Sequence, residues 1–236
     1  MSELIHGAGV LVGYLVTLAV IVLCIRKWTN IPDELFRKVL HFVLLGAYGP
    51  FLFAFETWWI SACFAASLII VIYPLLMLAG LIPSFSRFVN ERKKGEFKSS
   101  MVLALSVVVF TISVGWGLFQ DRYLVLASVY AWGVGDAFAA LVGKRFGKHK
   151  LKLKFADCHK SVEGSLAMFV SSLISVLLVL QIRGGIDVVV SLVVAVMASL
   201  TATLIELSTK NGLDTVTCPF GAMVVIVALL KVFGSL

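Results

Sequence analysis

Charge is scarce in this chain. Asp, Glu, Lys and Arg make up 14% of its 236 residues, against 60% hydrophobic residues. A soluble domain is about a quarter charged, so a soluble globular enzyme is excluded, and the mean hydropathy of +1.03 points to a bilayer as the solvent. Acidic residues are scarcer than basic ones, 13 against 20, for a net charge of +7. No basic stripe lies on a soluble face, so the excess does not indicate nucleic acid. The four cysteines, Cys24, Cys63, Cys158 and Cys218, contain no C-x-x-C, which excludes a spaced zinc site and a disulfide framework. They read as small apolar fillers. There is no G-x-x-x-x-G-K-[ST] phosphate loop, no soluble linker, no low-complexity segment and no short repeat. Leu4 to Ile25 lacks a basic leader region and a small-residue cleavage site, so it is expected to be a retained first span.

What is present is a series of long apolar runs. A bilayer core takes about 20 apolar residues per helix. By that measure the chain has eight spans, near 4–25, 36–55, 58–80, 101–119, 123–142, 163–182, 187–207 and 216–234. The expected fold is all-α, a polytopic helical membrane protein forming one integral domain over 1–236. Four segments, 26–38, 84–100, 143–162 and 208–215, carry 17 of the 20 Lys and Arg residues. Eight spans bring all four to one side, the cytoplasmic one by the positive-inside rule, and leave both termini outside. Arg122, Arg183 and Lys231 fall on the other side. Trp58, Trp59, Trp116 and Tyr123 fall at outer span ends and read as an interfacial belt.

The remaining charges sort to one depth. Asp136, Glu163, Glu206 and Asp214 lie at or near the inner ends of spans five to eight, with Arg37, Lys38 and His41 at the start of span two. Ionisable groups within a span are costly and mark function. Asp136 is followed by a glycine-punctuated basic stretch with Gly143, Lys144, Arg145, Gly147, Lys148, Lys150, Lys152 and Lys154. Glycines there let backbone approach a ligand, or simply make an inside loop. Phosphoryl transfer needs a metal ion, cationic groups and an aligned nucleophile, and Mg²⁺ takes one or two carboxylates plus phosphates and water. Asp136, Glu206 and Asp214 are the available carboxylates. Lys160-Ser161-Val162-Glu163-Gly164-Ser165 opens span six. Ser161 can cap that helix, and a helix N-terminus beside a lysine favours an anion. Spacing does not separate a plain cap from an anion site.

Gly135-Asp136-Ala137-x-Ala139, the pair Gly143 and Gly147, and Lys160-Ser161-x-Glu163-Gly164-Ser165 together resemble the dolichol kinase / phytol kinase family of membrane lipid kinases. That family includes CTP-dependent diacylglycerol kinases and is distantly similar to phosphatidate cytidylyltransferases. Arg37-Lys38-x-x-His41 resembles its early R-K-x-x-H, and Glu206 with Gly212-Leu213-Asp214-Thr215-x-Thr217-x-Pro219 its late E…G-x-D-N-x-T-x-P. The similarity runs from about Arg37 to Pro219. Three features depart from the pattern: Thr215 in place of Asn, Cys218 in place of a small aliphatic residue, and a longer loop through Phe155-Ala156-Asp157-Cys158-His159.

The resemblance implies phosphorylation of a long-chain or isoprenoid alcohol, with CTP or another nucleoside triphosphate as donor and Mg²⁺ as cofactor. It assigns expected active-site roles to Asp136, Lys160, Glu163, Glu206 and Asp214. Asp136 and Asp214, with Glu206, are the expected metal ligands. Lys144, Arg145, Lys148, Lys160, Ser161 and Gly164 are the expected nucleotide contacts. Asp136 or Glu163 would accept the hydroxyl proton, and Arg37 and His41 would bind phosphate or brace the site. The lipid alcohol would arrive along the inner leaflet among membrane lipids. A diacylglycerol kinase or a phosphatidate cytidylyltransferase is the alternative enzyme. A transporter would place polar groups near the midplane on matching halves, and here the carboxylates gather at one interface.

Overall fold

The structure is a computed structural model describing residues 2–29, 31–80, 96–151, 160–209 and 212–236. Its helices are α1 (Ser2–Trp28), α2 (Asp33–Gly46), α3 (Tyr48–Phe53), α4 (Trp58–Ala79), α5 (Glu96–Thr111), α6 (Arg122–Phe146), α7 (Val162–Arg183), α8 (Val188–Ser208) and α9 (Asp214–Val232). A π-helical stretch, Ile112–Leu118, continues α5. Ala47 keeps helical dihedrals between α2 and α3, so the two form one span, Leu35–Phe53. Among the described residues, eight helical segments are then long and apolar enough to cross a membrane, the number expected. Helices suit this solvent because each satisfies its own backbone polar groups. Among the described residues there is no β-strand, only the isolated bridge between Lys150 and Ser161.

The bundle is built around α6, whose apolar window is 56% buried against 11% for α1. Leu124, Val125, Ala127, Val129 and Ala131 are fully enclosed. Association in lipid relies on close backbone approach rather than on expulsion of water. Gly135 supplies that approach: a Cβ there would run into the Ser172 hydroxyl and Met168 of α7. The Ser172 hydroxyl donates to the Ala131 carbonyl, tying the two helices across the gap.

Three details differ from the expectations above. The fifth span runs four residues past Val142, so Lys144 and Arg145 form the last turn of α6. There they favour the helix through its negative end. Asp214 stands in the first turn of α9 rather than before it. Trp116 is not an interfacial residue: the π-helical stretch turns it inward to 5% exposure, and the Arg122 guanidinium covers it at 4.1 Å. The three basic residues outside the four basic segments are each engaged at the end of the bundle away from Asp136. Arg183 pairs with Asp121 at 2.5 Å, Arg122 donates to the Glu56 carbonyl, and Lys231 lies 5.0 Å from the Phe119 ring centre. The basic residues expected at 84–94 and 152–159, and Lys210, lie outside the described residues.

Candidate active site

Trp132, Gly133 and Asp136 lie on one side of α6, because residues four apart share a helix face. Helix α2 meets that side with Lys38 and His41, three apart and so on one face as well. The Lys38 ammonium stands 2.7 Å from Asp136 Oδ2 and 3.5 Å from the Asp136 carbonyl oxygen. His41 Nε2 donates to the Gly133 carbonyl at 3.0 Å and lies 4.0 Å from Asp136 Oδ2. Its ring meets Trp132 edge to face at 5.2 Å. The Trp132 indole N–H donates to Asp214 Oδ2 at 3.2 Å, which brings the first turn of α9 to the same place.

Lys160, just before α7, reaches the end of α8. Its ammonium is 3.0 Å from Glu206 Oε1 and donates to the backbone carbonyls of Glu206 and Thr209. A cation there satisfies carbonyls that a helix end leaves without partners. Asp136, Glu206 and Asp214 interact electrostatically with one another, and Lys160 acts on Asp214 as well as on Glu206. Three carboxylates from α6, α8 and α9 thus share one region with the lysines of α2 and the α7 approach. Arg37 adds its field at Asp136. Among the described residues, no three His, Cys, Asp or Glu side chains converge tightly enough to enclose a metal ion by themselves. The donors on offer are carboxylate oxygens, which suit a hard cation whose remaining positions go to phosphate and water.

An apolar cleft adjoins this cluster. It encloses about 510 Å³ including its open mouth and lies mainly between α2–α3 and α5. His41, Trp132 and Thr215 line it, and each of them also touches or neighbours a site carboxylate.

Other residues singled out in the sequence go elsewhere. Glu163 binds His149, accepting from its backbone N–H at 3.2 Å and lying 2.7 Å from Nδ1. It therefore holds residues 149–151 against 160–162, where Leu151 N–H donates to the Lys160 carbonyl and Val162 N–H to that of His149. Ser161 is 2% exposed and accepts from Gly164 N–H at 3.2 Å, so both serve the cap of α7. A Cβ on Gly147 would run into the Gly143 carbonyl and the Ser161 side chain. The glycines of this stretch accordingly make room for Ser161 where α6 and α7 cross. Gly147→Ala is expected to disturb that cap and lower the thermal midpoint by several degrees, as loss of about 1 kcal/mol at a cap does, read by thermal shift in detergent. Lys144, Arg145 and Lys148 are exposed on the last turn of α6 and just beyond it, with Arg145 over the Phe146 ring.

Lys38 was noted with Arg37 and His41 at the start of span two but given no site role, and Trp132 and the cleft were not singled out from the sequence. Lys38 carried a usable signal, its three-residue spacing from His41. Trp132 did not, because its partner Asp214 is 82 residues away.

The sequence pattern of the Cytidylyltransferase family matches residues 4–209. A phytol kinase from Synechocystis sp. is 30% identical over 203 residues, covering 82% of this chain and 78% of that protein. A probable chloroplastic phytol kinase from Zea mays is 28% identical over 210 residues, covering 83% of this chain and 66% of its own length. A probable chloroplastic phytol kinase 2 from Glycine max is 28% identical over 205 residues, covering 83% and 65%. No solved structure matches the chain. The motifs, the eight apolar spans and these relatives agree, and the chain belongs to the cytidylyltransferase family and, within it, to the phytol kinase group.

Proposed function

We propose that the protein is a membrane lipid kinase that transfers the terminal phosphate of CTP, or of another nucleoside triphosphate, to the hydroxyl of an isoprenoid alcohol such as phytol, a polyprenol or dolichol. The observation that carries this reading is the junction of two environments. His41, Trp132 and Thr215 line an apolar cleft, while His41 and Trp132 also contact or approach Asp136 and Asp214. A lipid alcohol needs such a junction: hydrocarbon for its tail, and charge where its hydroxyl reacts. The relatives' kinase names support the reaction class, and the crowding of basic residues at this end supports a site on the cytoplasmic leaflet.

In this reading Asp136 and Asp214, with Glu206 beside them, would hold Mg²⁺. When bound, the ion would offset the negative charge of the phosphates. Lys38 and Lys160 leave their carboxylates for the phosphates as the nucleotide arrives. The alcohol oxygen attacks the terminal phosphorus, its new O–P bond forms, the bond to the nucleoside diphosphate breaks, and the hydroxyl proton leaves. His41, which lines the cleft beside Asp136, would take that proton. Its Nε2–H is committed to the Gly133 carbonyl, so Nε2 carries the hydrogen and Nδ1 is the ring's acceptor. Glu163, engaged with His149, orders the stretch before α7 instead. His41→Gln is expected to lower kcat by roughly a hundredfold, the low end for a lost acid–base group, with the nucleotide KM nearly unchanged. A large rise in that KM at constant kcat would make His41 a phosphate contact.

The family pattern also covers cytidylyl transfer, which releases pyrophosphate and leaves a cytidine nucleotide on the lipid. CTP labelled at the α- or γ-phosphate separates the two. With purified protein, Mg²⁺ and a panel of phytol, geranylgeraniol, dolichol, diacylglycerol and phosphatidate, γ-label is expected on a prenyl alcohol. Label from the α-phosphate in the lipid would establish the cytidylyltransferase. Solute movement across liposomes with no nucleotide turnover would overturn both in favour of a transporter.

A further inference from the structure

We infer that the apolar cleft is a blind, length-limiting slot for the acceptor's tail, with Tyr48 and Phe51 as its floor; this rests on the proposed prenyl-alcohol kinase activity. The slot has a direction. At one end stand His41, Met101, Ala104 and Thr215, all half-buried, next to the carboxylate cluster. At the other stand Tyr48 at 5% exposure, Phe51 at 2%, Val107 at 5% and Val108 at 6%. The end beside the chemistry is therefore the more open one and the other end is buried. Behind the floor the bundle is closed: Leu52 and Ile112 are fully buried and Thr111 is 1% exposed.

The helix rise sets the depth. His41 to Phe51 is ten residues, about 15 Å at 1.5 Å per residue. Phe51 stands two residues from the far end of the span Leu35–Phe53, so the slot ends near the opposite side of the bilayer core, itself about 30 Å thick. A tail fed from the mouth meets Tyr48 and Phe51 there, and a much longer chain must leave sideways into lipid. The walls suit a branched hydrocarbon. Leu44, Leu45, Ala104, Leu105, Val107 and Val108 present side chains of uneven height and no charge. The slot thus favours a short isoprenoid such as farnesol, geranylgeraniol or phytol over a polyprenol of many units.

The test is kcat/KM of the full-length protein in nanodiscs for geraniol, farnesol, geranylgeraniol, phytol and dolichol. The wild type is expected to gain with each added isoprene unit and then to fall for dolichol. Phe51→Ala lowers the floor and is expected to raise the dolichol-to-geranylgeraniol ratio about tenfold, since a methylene in a fitted apolar pocket is worth roughly 10–200-fold. Ala104→Leu narrows the mouth at a half-buried position, a milder change for folding, and is expected to lower the geranylgeraniol-to-geraniol ratio by a similar factor. If the wild type phosphorylates prenyl alcohols and both ratios stay fixed, the slot inference fails while the kinase reading stands. If the ratios stay fixed and Ala104→Leu instead loses a co-purifying phospholipid, the occupant is a bilayer acyl chain and the inference is overturned. If no prenyl alcohol is phosphorylated at all, the kinase reading fails and takes the slot's occupant with it.

Discussion

Asp136→Asn is expected to cut phosphoryl transfer at least about a thousandfold, roughly 4 kcal/mol of transition-state stabilisation at 1.36 kcal/mol per tenfold. The change keeps the side chain's shape and removes its charge. In the structure that charge faces the Lys38 ammonium at 2.7 Å, with His41 within 4.0 Å and the fields of Asp214 and Glu206 close by. Asn keeps an oxygen that accepts from Lys38, so the α2–α6 contact survives in weaker form and folding is largely spared. What it cannot supply is an anionic ligand to a hard cation. The measurement pairs turnover with thermal stability, each with and without Mg²⁺ and CTP. Wild-type protein is expected to gain stability from the pair, by mass action on the folded state, and the variant is not. Near wild-type turnover in Asp136→Asn would sink the metal assignment and leave Asp136 as a structural partner of Lys38.

Much of the architecture could be read from composition alone. Spans are long, and one apolar run of bilayer length says helix with little ambiguity. Even so, span ends slipped where two rules competed. Hydropathy ended the fifth span at Val142, but Lys144 and Arg145 favour a helix C-terminus and carry α6 to Phe146. Trp116 was misread because a tryptophan at a span end usually sits in the headgroup layer, whereas a π-helical stretch turned this one into the bundle.

The site divides along similar lines. That Asp136, Glu206 and Asp214 belong together followed from cost: unpaired acids in hydrocarbon are rare without a purpose. Which cation meets which acid did not follow, since Lys38–Asp136 spans 98 residues and Lys160–Glu206 spans 46, and sequence separation says nothing about packing. Local patterns likewise do not say where neighbouring side chains go. Glu163 stands in one motif with Lys160, yet their side chains part, one to His149 and the other to Glu206. Gly143 and Gly147 suggested a cradle for phosphate, and in the fold they clear space for Ser161. Small residues near lysines serve a ligand or a helix crossing equally well, and only the tertiary neighbours tell them apart.

Lys160→Ala carries the second large effect, and its two consequences can be pulled apart. Lys160 is 15% exposed and Glu206 13%, so removing the ammonium leaves a carboxylate short of solvent and of its partner. Breaking a buried pair from one side costs about 3–5 kcal/mol, and the carbonyls of Glu206 and Thr209 lose the lysine as a donor too. A marked fall in the thermal midpoint is therefore expected along with a drop in kcat/KM of at least about a hundredfold, the scale of one lost transition-state contact. Adding Glu206→Gln removes the stranded charge. The double variant is expected to regain part of the lost stability, because contacting residues are not additive. Its activity should stay low, since the phosphates still lack their lysine and the metal region has lost a carboxylate. Stability is thus expected to recover without turnover. Were turnover to return in step with the thermal midpoint, Lys160 would be a strut between α7 and α8, and the cation on the nucleotide would have to be sought among Lys38, Lys144 and Arg145.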